Sequence, residues 1–434
     1  MALNALMVYP SMVTLKWRLE PGLKHLFFIR FIKNRISRKH VFYILANYLA
    51  LLVNFFSGVL IARELGAESR GIYALITSIF GILFAFGTFN YSGGTLQASM
   101  FAKEAEKARK LSALKVPGFV GLVAAVFALI GISLANLLKA WKEYENVIIG
   151  AAIVSSLGAV SAYIGSLFVT NHLIVRMAIA RFVGLGGMSL MVILLYLSNK
   201  ITIQNLLICQ ILAAIVIASN SLLLFTTSSK LRLPPDSIVI KNSLIGLPKY
   251  VIDFFVPIFL YSTVSSDYGA VFLGIYIVAW GWASLSDALL PVIESQVYNN
   301  YSIKGFQNTA IRNLLNKILI MFIFNLSLTP TLILIPFLFG EEFNKSVQIG
   351  IFLFAFKFLG QATSILEIIA NLKRQNLFLL LQVIGWLISF TLCTTILEMK
   401  SLSSLVICLY IAQSVRLLMA LINIKQVISQ ERKI

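Results

Sequence analysis

Ile61-Ala62-Arg63-Glu64-Leu65-Gly66-Ala67-Glu68-Ser69-Arg70-Gly71-Ile72-Tyr73-Ala74 joins two long apolar runs. A related stretch, Ser266-Asp267-Tyr268-Gly269-Ala270-Val271-Phe272-Leu273-Gly274-Ile275-Tyr276-Ile277, joins two more. Each sets a turn-permissive glycine, Gly66 or Gly269, after an apolar run and reopens the next run with Gly-Ile-Tyr. The register between the two stretches is 203 residues, and the same shift carries Val41–Ala62 onto Leu244–Ser265 and Gln210 onto Gln413. Agreement of a short motif with the spacing of the whole hydrophobic pattern marks an internal repeat.

Hydrophobic residues make up 59% of the chain and charged residues 12%, about half the charged share of soluble domains. The expected class is an all-α polytopic membrane protein, since a span needs about 20 apolar residues and many runs reach that length. A transmembrane barrel would show ~10-residue segments of alternating polarity, which the sequence lacks. Cys209, Cys393 and Cys408 all lie in apolar runs, and an odd count implies no disulfide framework. His25, His40 and His172 are isolated, so no metal site is expected. The formal charge of +19 is explained by basic cytoplasmic loops without invoking nucleic acid.

Twelve spans are predicted, at 41–62, 72–91, 116–138, 147–169, 178–197, 206–228, 244–265, 271–293, 313–340, 347–370, 377–397 and 402–426. They divide into a basic cytoplasmic segment (1–40), an N-terminal six-helix lobe (41–228), a cytoplasmic linker (229–243), a C-terminal six-helix lobe (244–426) and a cytoplasmic tail (427–434). Within 1–40, Leu23–Arg35 reads as a helix lying on the membrane surface, no secretory signal is expected, and Met12 is an alternative start. Met100–Leu111 reads as a second amphipathic surface helix. The ninth span is longer than a bilayer requires and holds Pro330 and Pro336, so part of it is expected to be tilted, kinked or outside the core. The tails and even-to-odd loops carry 23 Lys and Arg against 7 in the odd-to-even loops, which places both termini in the cytoplasm. Outer loops of about ten residues or fewer leave no room for an outer catalytic domain.

A charge near the bilayer centre costs about 2.5–3.5 kcal/mol on insertion scales, so it needs a partner, water or a function. The deepest such groups are Lys249, Asp253, Asp287, Lys357, Glu367 and Arg416, all in the second half. Lys357 and Arg416, with Lys249, are candidates to line a cationic central cavity; the alternative is buried pairing with Asp253, Asp287 or Glu367 that fixes helix packing. Arg63 and Arg181, at span ends, are further cationic candidates with snorkelling as the alternative. Asn47, Asn54, Gln210, Gln361 and Gln413 are candidate polar lining. Pro248 and Pro257 bracket Asp253, predicting a kinked helix; Asp253, Asp287 and Glu367 are candidates for coupling to H⁺ or Na⁺. With no GxxxxGK[ST], HExxH or nucleophile elbow, neither an enzyme nor a resident cofactor is expected.

Ala62-Arg63-Glu64-Leu65-Gly66 with Gly71-Ile72-Tyr73-Ala74, Gly274-Ile275-Tyr276 in the second half, and Phe337-Leu338-Phe339-Gly340-Glu341-Glu342-Phe343 resemble, in order and spacing over about 41–426, the polysaccharide flippase family (Wzx-type, RfbX-like) of the multidrug/oligosaccharidyl-lipid/polysaccharide exporter superfamily. The resemblance implies a bacterial cytoplasmic-membrane flippase with two facing lobes. It would turn a polyprenyl-diphosphate-linked oligosaccharide across the bilayer by alternating access, for O-antigen or capsule synthesis, beside the polysaccharide polymerase machinery. A cation-coupled multidrug exporter of the same superfamily is the first alternative. A membrane polysaccharide polymerase is the second, disfavoured by the short outer loops.

Overall fold

Gly66 and Gly269 interrupt the two longest helices of the protein, and the remaining helices pack around them. The computed structural model describes residues 38–98, 101–104, 113–135, 139–171, 173–228, 231–290, 293, 297, 308–372, 375–397 and 402–431. Helix α1 (Arg38–Thr88) holds 51 residues and leaves the helical region at Gly66, φ 69° and ψ 175°. It is followed by α2 (Tyr91–Ala98), strand β1 (Lys103–Glu104), α3 (Lys115–Ala135), α4 (Glu145–Thr170), α5 (Ile174–Leu197), α6 (Ile203–Thr226) and strand β2 (Arg232–Leu233). Helix α7 (Asp236–Ala283) holds 48 residues and breaks at Gly269, φ 84° and ψ 165°. The chain continues with α8 (Asn308–Leu328), α9 (Ile335–Phe339), α10 (Lys345–Leu372), α11 (Asn376–Ile396) and α12 (Leu402–Glu431). Both breaks use a positive φ that glycine alone adopts without a Cβ penalty.

At ~1.5 Å per residue, α1 and α7 each exceed twice the ~30 Å hydrocarbon thickness, so each supplies two spans. Ten helices among the described residues are long and apolar enough to cross a membrane. Two of the ten are double, giving the twelve crossings that the hydropathy predicts. The ninth span behaves as its prolines require: α8 stops at Leu328, Pro330 opens a 3₁₀ turn (Thr329–Leu334), and Pro336 opens the short α9.

Two local expectations are corrected. The turns at 63–71 and 266–270 shrink to one glycine each, because helix resumes at once on either side. Pro248 and Pro257 both lie inside α7, as the sequence places them, and the backbone departs from helical dihedrals at Gly269. Lys103 and Glu104, expected in a surface helix, instead pair antiparallel with Leu233 and Arg232. Asn171 supports that ladder: its Oδ1 accepts from the Arg232 amide at 2.8 Å and its Nδ2 donates to the Arg232 carbonyl at 3.1 Å. Residues 100 and 105–111 of that expected helix, and the surface helix at 23–35, lie outside the described residues.

The register of 203 residues acquires a physical meaning where α1 and α7 cross. A Cβ on Gly71 would lie 2.1 Å from the Ala270 carbonyl oxygen, and a Cβ on Gly274 would lie 1.9 Å from the Ala67 carbonyl oxygen. The two contacts are exchanged by the repeat, since 67 and 270, like 71 and 274, differ by 203. Each Gly-Ile-Tyr glycine is therefore required by a carbonyl of the other half. Around the crossing, Val59, Ala62 and Ala67 of α1 share one apolar core with Leu260, Val264 and Leu273 of α7. Phe55 stands edge-on to Trp282 at 4.9 Å and to Phe339 at 5.8 Å, extending the seam between the halves.

The basic asymmetry predicts that this crossing faces outward. Reporter fusions after Lys200 and after Lys400 are expected to report the outer side, and a fusion at the C-terminus the cytoplasm; the reverse pattern would overturn the orientation.

Candidate functional site

The six deep ionisable groups of the second half assemble into two clusters. Lys249 and Asp253, one turn apart on α7, meet at 2.8 Å. Glu367 reaches them from α10: its Oε2 takes Lys249 Nζ at 3.2 Å, and its Oε1 takes Arg416 from α12 at 2.9 Å. Arg416 Nη2 lies 3.3 Å from Asp253 Oδ1, which closes the ring. Each cation touches both acids and each acid touches both cations, so the ring carries no formal charge. Glu367 is the most enclosed member, its side chain 6% exposed against 24% for Asp253.

The second cluster lies between α10 and the 3₁₀ turn Ser284–Ala288 that ends the eighth span. Lys357 Nζ meets Asp287 Oδ2 at 2.7 Å and sits 4.4 Å from the Trp280 ring centroid. One turn on, Gln361 is a fully used hub: its Nε2 donates to Ser286 Oγ and Asp287 Oδ1, both at 2.8 Å, and its Oε1 accepts from Asn325 Nδ2 at 2.7 Å. The spacing of 357, 361 and 367 puts these groups on the polar stripe of α10 legible in the sequence. Asp287 is 34% exposed, so this cluster is open on one side.

The other candidates do not join these clusters. Gln413 donates to Thr363 Oγ1 at 3.2 Å, tying α12 to α10. Gln210 donates to the Tyr73 hydroxyl at 2.8 Å. Arg63 is exposed and donates through Nη2 to the Phe337 carbonyl at 2.9 Å. Asn54 is half-buried on α1. The side chains of Asn47 and Arg181 lie outside the described residues. Lys249, Lys357 and Arg416, expected as cations facing a cavity, stand within 2.7–3.3 Å of carboxylates, so this conformation offers an anion no surplus charge there.

One cation does not stand out by its sequence position. Arg70 adjoins Gly71 and, placed in an outer turn by the hydropathy pattern, belongs instead to the helix that resumes after Gly66. Its Nε is sealed without an acceptor, and its guanidinium stands 5.4 Å from the Tyr73 ring centroid. Among the described residues no carboxylate pairs with it. A cation–π contact is worth roughly 0.5–1 kcal/mol where water reaches it and about 2 kcal/mol or more where it does not, and the half-buried Arg70 lies between these limits.

No family model matches the chain, and no curated protein matches it in sequence. Solved structures do match in fold. A ligand-bound MATE multidrug transporter, DinF-BH, superposes with a TM-score of 0.68 at 15% identity, covering 89% of this chain and 94% of that one. A MATE in complex with MaD5 gives 0.68 at 14% identity, over 91% and 95%. An inward-facing multidrug resistance MATE family transporter of the MOP superfamily gives 0.62 at 13% identity, over 88% and 96%. At such identities the likeness establishes the fold: this is an all-α, multi-pass membrane protein with the MATE architecture.

Proposed function

We propose that this protein is an alternating-access exporter whose halves, 41–228 and 244–426, separate and close at the Gly71–Gly274 crossing. The reciprocal 1.9 and 2.1 Å positions carry the reading, because a contact exchanged by the repeat is one that a rocking motion of two like lobes would make and break. The likeness to multidrug transporters favours drug-like organic compounds as cargo, and the acids Asp253 and Glu367 inside the spans favour an H⁺ or Na⁺ gradient as the driving force. The four-charge ring is the coupling element in this reading. A proton taken up by Asp253, the more exposed acid, would leave Lys249 and Arg416 with one carboxylate between them and loosen the packing of α7 on α10 and α12. An ion drives the cycle only through such a difference between conformations.

A second reading, flipping of a polyprenyl-diphosphate-linked oligosaccharide in a bacterial cytoplasmic membrane, is favoured by the order and spacing of the 62–74, 274–276 and 337–343 motifs. It loses the support of unpaired Lys357 and Arg416, since both are neutralised. Everted vesicles separate the two. Under drug export, uptake of a fluorescent lipophilic cation follows an imposed H⁺ or Na⁺ gradient, and Asp253→Asn abolishes the gradient dependence. Movement of the lipid-linked glycan without cation uptake would reject the first reading in favour of the second; movement of neither would reject both.

A further inference from the structure

Lys249, Lys357 and Arg416 each have a carboxylate within 3.3 Å, and Arg70 has none among the described residues. Nor is Arg70 repeated: the residue 203 positions on is Leu273, part of the apolar seam. Its surroundings are built. The Tyr73 ring lies against the guanidinium and is fixed from α6 by the bond from Gln210, and Tyr261 of α7 lies within electrostatic reach from the other half. The next residue, Gly71, is the one pressed against Ala270, so Arg70, half-buried with its Nε sealed, stands beside the contact between the two halves.

We propose that Arg70 holds an oxyanion, a phosphate or carboxylate group, at the outer seam between the halves. A planar guanidinium on an aromatic face presents a fork of donors suited to two oxygens of one group, and partial burial strengthens such a charge-assisted pair relative to one in open water. The anion has two sources: a soluble or carried phosphate, or the headgroup of a bilayer lipid entering the seam. The assignment does not depend on which cargo is exported.

The test uses the purified full chain and reads its unfolding midpoint, so it is independent of transport. One arm titrates pyrophosphate into the protein in neutral detergent, with sodium chloride matched to the same ionic strength. The other compares nanodiscs of phosphatidylcholine with and without phosphatidylglycerol. The wild type is expected to be stabilised in at least one arm. Arg70→Gln should need roughly 10- to 100-fold more anion for the same shift, the loss expected when a charge-assisted pair is removed. Arg70→Lys, which keeps the charge and loses the fork, should fall between them and carries the test if the glutamine variant does not fold. A response to phosphatidylglycerol alone assigns the anion to a lipid headgroup; a response to pyrophosphate alone assigns it to a phosphate outside the bilayer. Stabilisation in neither arm, or a variant that responds like the wild type, overturns the site.

Discussion

Gly71→Ala and Gly274→Ala are each expected to drive α1 and α7 apart where they cross, just past the breaks at Gly66 and Gly269. The added Cβ would lie 2.1 or 1.9 Å from a backbone carbonyl oxygen, where carbon–oxygen contacts in proteins settle near 3.3–3.6 Å. A backbone oxygen cannot swing aside as a side chain can, so the hairpins themselves must move. Overpacking of this kind costs about 1–3 kcal/mol. A bias of that size shifts a two-state equilibrium roughly 5- to 150-fold, here away from the arrangement in which the crossing is closed. Spin labels at Glu68 and Asp267, in a background with Cys209, Cys393 and Cys408 replaced by serine, would report the separation directly. The alanine variants should populate longer distances and lose export together. Gly281→Ala is the control, since nothing lies within 4 Å of its added Cβ. Unchanged distances in both alanine variants would show that the crossing is not where the halves part.

Glu367→Gln is expected to be the most destabilising single change in the four-charge ring. It leaves Lys249 and Arg416 sharing Asp253 alone, and breaking a buried pair typically costs about 3–5 kcal/mol. The partial exposure of the other three members argues for the lower end. Asp253→Asn makes the same change in charge at a more exposed position and should cost less. Glu367→Gln combined with Lys249→Met restores neutrality with a side chain of similar length and should recover much of the loss. Thermal unfolding in detergent reads all three. If Glu367→Gln unfolds with the wild type, the ring does not hold α7, α10 and α12 together. If the double variant fares no better than the single one, charge balance is not what the ring supplies.

Span number, span positions and the repeat were legible in the chain because hydrophobic length and a glycine that needs positive φ are local properties. Gly66 and Gly269 therefore announced the two breaks, and Pro330 and Pro336 announced the interruption of the ninth span. The ladder at 103–104 was hidden because its partner, 232–233, lies more than a hundred residues away. The polar stripe of α10 was visible as a periodicity, yet its partners were not. Which carboxylate meets Lys357 or Arg416 depends on which helices are neighbours, and nothing in a single helix's residues encodes that. Arg70 shows the same limit from the other side. Hydropathy placed it in a solvated turn, and only the packing of α1 against α7 made it a half-buried cation with its Nε sealed. How often the chain crosses the membrane and where it turns can thus be read from the residues in order, since both follow from backbone geometry and apolar length. Which charges are compensated emerges only on folding, because compensation is a matter of distances between helices that the unfolded chain keeps apart.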